Sequence, residues 1–419
     1  MKYIIEGGKK LTGKVSISGN KNSVFSSVAA CLLTNEEVIL ENVPQNRDSA
    51  VLIQIIKKLG VTIHQDKSTL VIKALEIKQS FLPKELVTKL RGSIVLVGSL
   101  LGRLGKATFH HPGGDIIGKR SIETHLEGFK TLRVEIKRED LKYYLNVSGE
   151  ETKDVAFFLS EASVTAVQNL VLFTVIGKRT VTLNNCPKEP QIVDLCKLLV
   201  QMGADISGLG MDTLVINGVE KLHGTKFRLG IDYIEMGTYA VAAAVTGGKI
   251  TVTGIGNVDL EPILIPLKRF GVMVEINGDE VTFECGQLKS IPKLITNIWP
   301  GFPTDMMSAA IVLATQCKGM TLCHDWMYES RMFFVDKLIT MGANISLADP
   351  HRVFVYGPCR LRGRELDTPD IRAGMALVLA ALAAKGKSII HRAELIERGY
   401  EEAAAKLKKL GANIERQEE

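Results

Sequence analysis

The sequence predicts an α/β architecture made of six repeats of about 70 residues, on three observations. One helix–turn–strand phrase recurs, β-prone segments recur with the same period, and the 419-residue length exceeds one ordinary core. The phrase first reads Lys58-Leu59-Gly60-Val61-Thr62-Ile63 and returns as Thr131-Leu132-Arg133-Val134-Glu135-Ile136. It follows again at Gln201–Ile206, Arg269–Val274, Thr340–Ile345 and Lys409–Ile414. Positions 60, 133, 203, 271, 342 and 411 are spaced by 73, 70, 68, 71 and 69 residues. A glycine just past a helix supplies the left-handed cap that reverses the chain, and the alternating residues after it suit a half-buried strand. Segments such as Glu37–Leu40, Lys106–Phe109, Lys249–Val252 and Lys387–Ile390 each follow an Ala/Leu/Val-rich helical stretch. Each repeat therefore holds two helices and about four strands. Six repeats form one ring or two bodies of three, and domain size favours the second.

Composition narrows the function classes. Hydrophobic residues make up 46% and charged residues 23%, the profile of a soluble globular protein. The net charge of +6 comes without a dense Lys/Arg tract, and aromatics are only 6%. That profile argues against nucleic-acid binding and leaves room for cations gathered around an anionic substrate. No apolar run reaches the roughly 18 residues of a membrane span, and Met1–Gly8 reads as a strand and turn, not as a secretory leader. A cytoplasmic location is expected. The seven cysteines lack any metal-ligand spacing, so reduced thiols and no metal site are expected. Neither GxGxxG nor GxxxxGK[ST] occurs in the required context.

Four departures from the repeat pattern are candidate functional places. Ser18-Gly19-Asn20-Lys21-Asn22-Ser23 joins a strand to a helix starting near Ser23, which is either an anion site or a plain capping turn. The loop from His110 to Arg120 places Pro112-Gly113-Gly114 before Asp115 and ends in Gly118-Lys119-Arg120. It suits a general acid and phosphate-binding cations on a closing lid, or a solvated surface loop. Asp305 stands ahead of an apolar helix Met306–Thr315, as a helix-dipole partner or as a base aimed at a substrate hydroxyl. Arg91, Arg331, Arg372 and Arg398 recur at similar repeat positions, and guanidinium forks suit carboxylate and phosphate.

These elements, in order, resemble the enolpyruvyl transferase family, and within it the UDP-N-acetylglucosamine 1-carboxyvinyltransferases (MurA). The resemblance rests on Ser18–Asn22, Pro112-Gly113-Gly114 with Gly118 and Arg120, and Glu189–Asp194. It continues through Ile234–Thr238, Phe302–Met306, Glu329-Ser330-Arg331 and Arg398-Gly399-Tyr400-Glu401. It implies a two-domain inside-out α/β barrel with three repeats per domain and the active site in the cleft between them. One domain is then 21–229 and the other 1–20 with 230–419. The implied reaction moves the enolpyruvyl group of phosphoenolpyruvate to the 3-hydroxyl of UDP-N-acetylglucosamine by addition and elimination. No cofactor is implied.

By the same resemblance, Lys21 and Asn22 hold phosphoenolpyruvate, and Arg120 and Arg398 hold its phosphate and carboxylate. Arg91, Arg120, Ser121, Ile122, Glu123, Thr124, Ser163 and Val164 bind the UDP-sugar. Asp305 takes the proton of the sugar hydroxyl, Met327 stands where valine often contacts the sugar, and Arg331 and Arg372 line the cleft. Most members carry cysteine where this chain has Asp115. A carboxylic acid kept neutral by burial can also donate a proton, so Asp115 is expected to be the acid. Fosfomycin, whose epoxide alkylates the usual cysteine, is then expected to be ineffective. Glu161 replaces a lysine of some members, and Ser121-Ile122-Glu123 departs from the usual Pro-x-Asp. The sister family that acts on shikimate 3-phosphate is disfavoured, because its Asn-Ala-Gly-Thr and Gly-Ser-Lys-Ser stretches are absent.

Overall fold

The computed structural model describes residues 1–115, 117–149, 153–256 and 258–418. The chain forms two compact units. The first comprises Met1–Ser18, Asp115–Lys119 and Ile231–Glu419, and the second comprises Gly19–Gly114 and Arg120–Gly230. Each has its own apolar core.

The six repeats appear as six small sheets, three per unit: five of four strands and one of three among the described residues. The repeat containing Val155–Phe158 shows the plan. That strand leads into helix Val164–Thr174, strand Thr180–Asn184, helix Pro190–Gln201 and the paired strands Asp205–Ser207 and Thr213–Asn217. Thr180–Asn184 lies parallel to the opening strand and antiparallel to Thr213–Asn217, which pairs in turn with Asp205–Ser207. In the three-stranded sheet, a single bridge between Phe81 and Thr108 stands in for the opening strand.

Three strands do not pair within their own stretch of sequence. Thr12–Ser16 precedes helix Lys21–Ala30 yet pairs with Lys249–Thr253. Lys226–Arg228 precedes helix Tyr233–Thr246 yet pairs with Glu37–Glu41. Lys2–Glu6 sits between Lys387–His391 and Asn413–Gln417, so the first residues complete the last repeat.

The recurring turn has one physical cause. Gly60, Gly203, Gly271, Gly342 and Gly411 take φ of 92–99°, and Arg133 takes φ 65° at the one position without glycine. In five of the six repeats the first helix is buried on nearly every face. Lys21–Ala30, Val164–Thr174, Tyr233–Thr246, Met307–Gln316 and Ile371–Ala383 are of this kind. The last four are apolar nearly all round, which places a helix in the interior, whereas Lys21–Ala30 buries Lys21, Ser23, Ser26 and Ser27 as well. In the first unit, helices Tyr233–Thr246, Met307–Gln316 and Ile371–Ala383 pack on one another. In the second, Leu96–Leu104 packs on Val164–Thr174. The second helices, such as Arg47–Lys58 and Pro190–Gln201, leave one side to solvent.

The units divide at 18/19 and 230/231 and count Asp115–Lys119 with the first, where the expected domains were 21–229 and 1–20 with 230–419. Two helix boundaries also differ from expectation. The helix expected near Ser23 begins at Lys21, because Asn20 caps it by accepting from the Asn22 amide. The helix expected at Met306–Thr315 runs Met307–Gln316 after a 3-10 turn, Thr304–Met306, that carries Asp305.

Candidate active site

In the first unit the loop and the arginines converge. Arg398, at the end of the 3-10 segment Ala393–Arg398, donates through Nη1 to Asp115 Oδ1 at 2.7 Å. The loop bearing Asp115 is pinned beside this contact. Ser330 N donates to Ile117 O at 3.0 Å, and Lys119 N donates to Glu329 Oε2 at 3.2 Å. Gly118 has φ 136°, and a Cβ there would meet Glu329 Oε2 at 2.1 Å. The glycine of this loop therefore serves a close approach as well as a turn.

Asp305 is held from two sides. Its Oδ1 accepts from Arg331 Nη2 and its Oδ2 from Arg372 Nε, each at 3.0 Å. Both arginines are buried, while the Asp305 side chain keeps 30% exposure. Burial opposes the charge on Arg331, but Asp305, Asp370 and Asp325 outweigh it and hold the guanidinium firmly protonated. Arg372 behaves alike: burial works against it, and Tyr400, Asp305 and Asp232 more than compensate. Its guanidinium also lies over the Tyr400 ring, 5.1 Å from the centroid. Asp370 caps helix Ile371–Ala383 by accepting from the Arg372 and Ala373 amides. Burial pushes its carboxyl up, Arg331 pulls it down, and Asp115 adds a further upward push.

In the second unit the expected ligands stand at helix starts. Lys21 opens helix Lys21–Ala30, and its Nζ lies 3.4 Å from Asp48 Oδ2 with both side chains buried. Asn22 follows at the same helix start. Asp194 braces this turn by accepting from Ser23 Oγ at 2.7 Å and from Gly230 N at 3.3 Å. Arg91 Nη2 donates to the carbonyls of Arg120 at 2.6 Å and Ser121 at 2.9 Å. Its Nη1 reaches Pro112 O at 3.4 Å. Arg91 thus organises both ends of the loop.

Helices Glu123–Thr131 and Val164–Thr174 begin side by side. Thr124 Oγ1 lies 3.3 Å from Ser160 Oγ, and His125 Nε2 lies 3.0 Å from Thr165 Oγ1. Ile122 is buried and Glu123 exposed at this edge. Ser163 occupies the N-cap of Val164–Thr174 without a side-chain cap, so the amides of the first turn face outward from the helix end. His125 is locked into the core: Asn169 Nδ2 lies 2.9 Å from its Nδ1, and burial followed by the Arg91 charge holds its pKa down to about 3.

Asp115, Asp305, Arg331, Arg372 and Arg398 therefore lie in one unit, and Lys21, Asn22, Arg91, Arg120, Ser121, Ile122, Glu123, Thr124, Ser163 and Val164 in the other. Met327 joins the first set, its amide donating to Asp325 Oδ1 at 3.0 Å. Sequence reasoning passed over Asp48, Asp370 and Asp325. Asp370 was legible as an N-cap two residues before Arg372. Asp48 and Asp325 carry no local signal, because only the fold buries them beside cations. Among the described residues no group of three or more His, Cys, Asp or Glu is placed to hold a metal, and no helix is long and apolar enough to cross a membrane.

A family model described as EPSP synthase (3-phosphoshikimate 1-carboxyvinyltransferase) matches residues 5–417. The UDP-N-acetylglucosamine 1-carboxyvinyltransferase of Treponema denticola is 41% identical over 427 residues, covering 99% of each chain. That of Borreliella burgdorferi is 42% identical over 422 residues, covering 99% of this chain and 98% of its own. Among solved structures, the enolpyruvyl transferase NikO from Streptomyces tendae superposes with a TM-score of 0.88 at 27% identity, covering 99% of this chain and 98% of its own. EPSP synthase from Acinetobacter baumannii shares the fold, with a TM-score of 0.77 at 18% identity over the full length of both chains. The chain is a transferase with the mixed α/β enolpyruvyl transferase fold, and it belongs to the UDP-N-acetylglucosamine 1-carboxyvinyltransferase family.

Proposed function

We propose that this chain transfers the enolpyruvyl group of phosphoenolpyruvate to the 3-hydroxyl of UDP-N-acetylglucosamine, the first committed step of peptidoglycan synthesis. The observation that carries the reading is the pairing of two carboxylates with three arginines in one unit: Asp115 on Arg398, and Asp305 on Arg331 and Arg372. Relatives bearing the activity's name at 41–42% identity across the whole chain support it.

The two carboxylates divide the proton work. Asp115 hands a proton to the methylene carbon of phosphoenolpyruvate, and Arg398 stabilises the carboxylate left behind. Positive charge develops on the adjacent carbon, and the sugar oxygen attacks it as Asp305 takes the hydroxyl proton. The Asp115 carboxylate then takes back a proton from the methyl group as the tetrahedral adduct expels phosphate, which carries off the proton held by Asp305, to give the enol ether. Asp305 suits the receiving role because two fixed guanidiniums leave its carboxylate little rotational freedom. Lys21, Asn22, Arg120 and Arg398 bind the phosphoenolpyruvate anion. Arg91 sets the main chain at Arg120 and Ser121, and with the stretch to Thr124, Ser163 and Val164 it binds the nucleotide sugar. Met327, Arg331 and Arg372 complete the sugar side.

An aspartate in place of the usual cysteine further suggests that fosfomycin does not inactivate the enzyme, since a carboxylate is a far weaker nucleophile toward its epoxide than a thiolate. The experiment is phosphate release from phosphoenolpyruvate with UDP-N-acetylglucosamine or with shikimate 3-phosphate. Release with the UDP-sugar alone is expected. Release only with shikimate 3-phosphate, or with neither, overturns the reading.

A further inference from the structure

We propose that Asp325 is a positioning residue that aims Asp305 at the acceptor hydroxyl, acting through Arg331 and Thr304. The inference rests on the reading above, in which Asp305 takes the sugar proton.

Asp325 follows strand Gly319–His324, and its side chain is wholly buried. Its backbone is fixed to the turn before strand Arg352–Gly357. Asp325 N donates to His351 O at 2.9 Å, and His351 Nδ1 meets Asp325 O at 2.7 Å. His351 N donates in turn to Asp349 Oδ1 at 2.8 Å. The backbone that carries the buried carboxylate is thus tied down, which makes it a suitable reference point.

Its two oxygens reach three groups around Asp305. Oδ2 accepts from the Thr304 hydroxyl, and Thr304 is the residue directly before Asp305 in the same 3-10 turn. The same oxygen lies 3.9 Å from Arg331 Nε, and the other end of that guanidinium donates to Asp305 Oδ1 at 3.0 Å. Oδ1 accepts from Met327 N at 3.0 Å, which starts the segment running to Arg331. Asp305 is thus set twice by one anion, through its preceding residue and through its guanidinium partner.

Electrostatics gives this arrangement a purpose. Arg331 is buried and, among the described residues, makes no hydrogen bond through Nε. Asp305, Asp370 and Asp325, in that order, act on the Arg331 charge, so removing the Asp325 charge changes the balance of forces on the guanidinium that holds Asp305. A guanidinium shared between Asp325 and Asp305 is held at a set distance from each. A base displaced by a fraction of an ångström loses transition-state stabilisation without losing ground-state binding of the other substrate.

The test is Asp325→Asn, which keeps the shape and an acceptor oxygen and removes the charge. In the phosphate-release assay its kcat is expected to fall about 10- to 100-fold. KM for phosphoenolpyruvate, bound by Lys21 and Arg120, is expected to stay within about threefold. Wild-type kcat, or a loss confined to KM, overturns the proposal. If Asp325→Asn does not fold, Thr304→Val decides. A fall in kcat of about tenfold at unchanged KM supports the proposal, and wild-type kcat overturns it. An inactive wild-type protein refutes the functional reading itself, a result distinct from active wild type with unaffected variants.

Discussion

Arg398 Nη1 donates to Asp115 Oδ1 across 2.7 Å, and each side chain keeps 18% exposure. A carboxyl so placed is reachable by substrate and backed by a fixed cation. Asp115→Asn, which keeps the shape but cannot donate an acidic proton, is expected to lower kcat by about 10² to 10⁴. Asp115→Cys is expected to keep activity and to gain a covalent fosfomycin adduct that mass spectrometry detects. Wild type is expected to show none, and a stable adduct on Asp115 would refute the resistance argument.

Arg331 neutralises two carboxylates, Asp325 with no exposure and Asp305 with 30%. Arg331→Met leaves Asp325 buried without that cation. Removing one partner from a buried ionic cluster costs about 3–5 kcal/mol. Urea unfolding is expected to give a loss of about that size together with loss of turnover. Unchanged stability would mean that Asp325 is balanced elsewhere.

Half-buried Lys406 pairs with the buried Glu235, with Nζ 2.7 Å from Oε1 and 2.6 Å from Ser18 Oγ. Glu235 Oε2 also accepts from Ser18 N at 3.0 Å. Burial raises the Glu235 carboxyl and Lys406 pulls it back down. In Lys406→Met the carboxyl rises further. A folded-state pKa above the unfolded value gives stability that is present at low pH and lost as pH climbs through the folded value. The deficit of the variant is therefore expected to be small near about pH 4 and to widen toward neutrality. A deficit independent of pH would exclude Glu235 as its source.

His125 has the opposite sign. Its pKa is depressed to about 3, by burial first and the Arg91 charge second. The unfolded chain takes up a proton near the ordinary histidine value of about 6.5 while the folded chain does not. This contribution is whole above that value and drains away as pH falls toward 3, at about 1.4 kcal/mol per pH unit. His125→Gln is expected to flatten that acid arm in stability curves between about pH 6.5 and pH 4. A ring that titrates near 6.5 by NMR would contradict it.

The repeat was readable because its signals are local. A left-handed turn residue and an alternating strand declare themselves within a few positions, and all six turn positions adopt positive φ, Arg133 included. Helix starts were readable only to within a residue or two, since the Asn20 cap and the 3-10 turn at Asp305 depend on backbone hydrogen bonds outside the periodic pattern.

The candidate site divides in the same way. Lys21, Asp115, Arg120, Asp305 and Arg398 were visible as charged residues where loops interrupt the repeat. Their pairing was not. Asp115 and Arg398 lie 283 residues apart, and Asp305 and Arg372 lie 67 apart. Nor could the sequence show that Thr12–Ser16 and Lys226–Arg228 each join a sheet far from their neighbours in the chain. The sequence by itself determined the repeat, the secondary structure and the candidate charges, because each follows from contacts a few residues long. Only the tertiary structure decided which carboxylate meets which guanidinium, and which acids, such as Asp325 and Glu235, are buried. Burial and long-range pairing are set by packing among distant segments, and no local pattern encodes them.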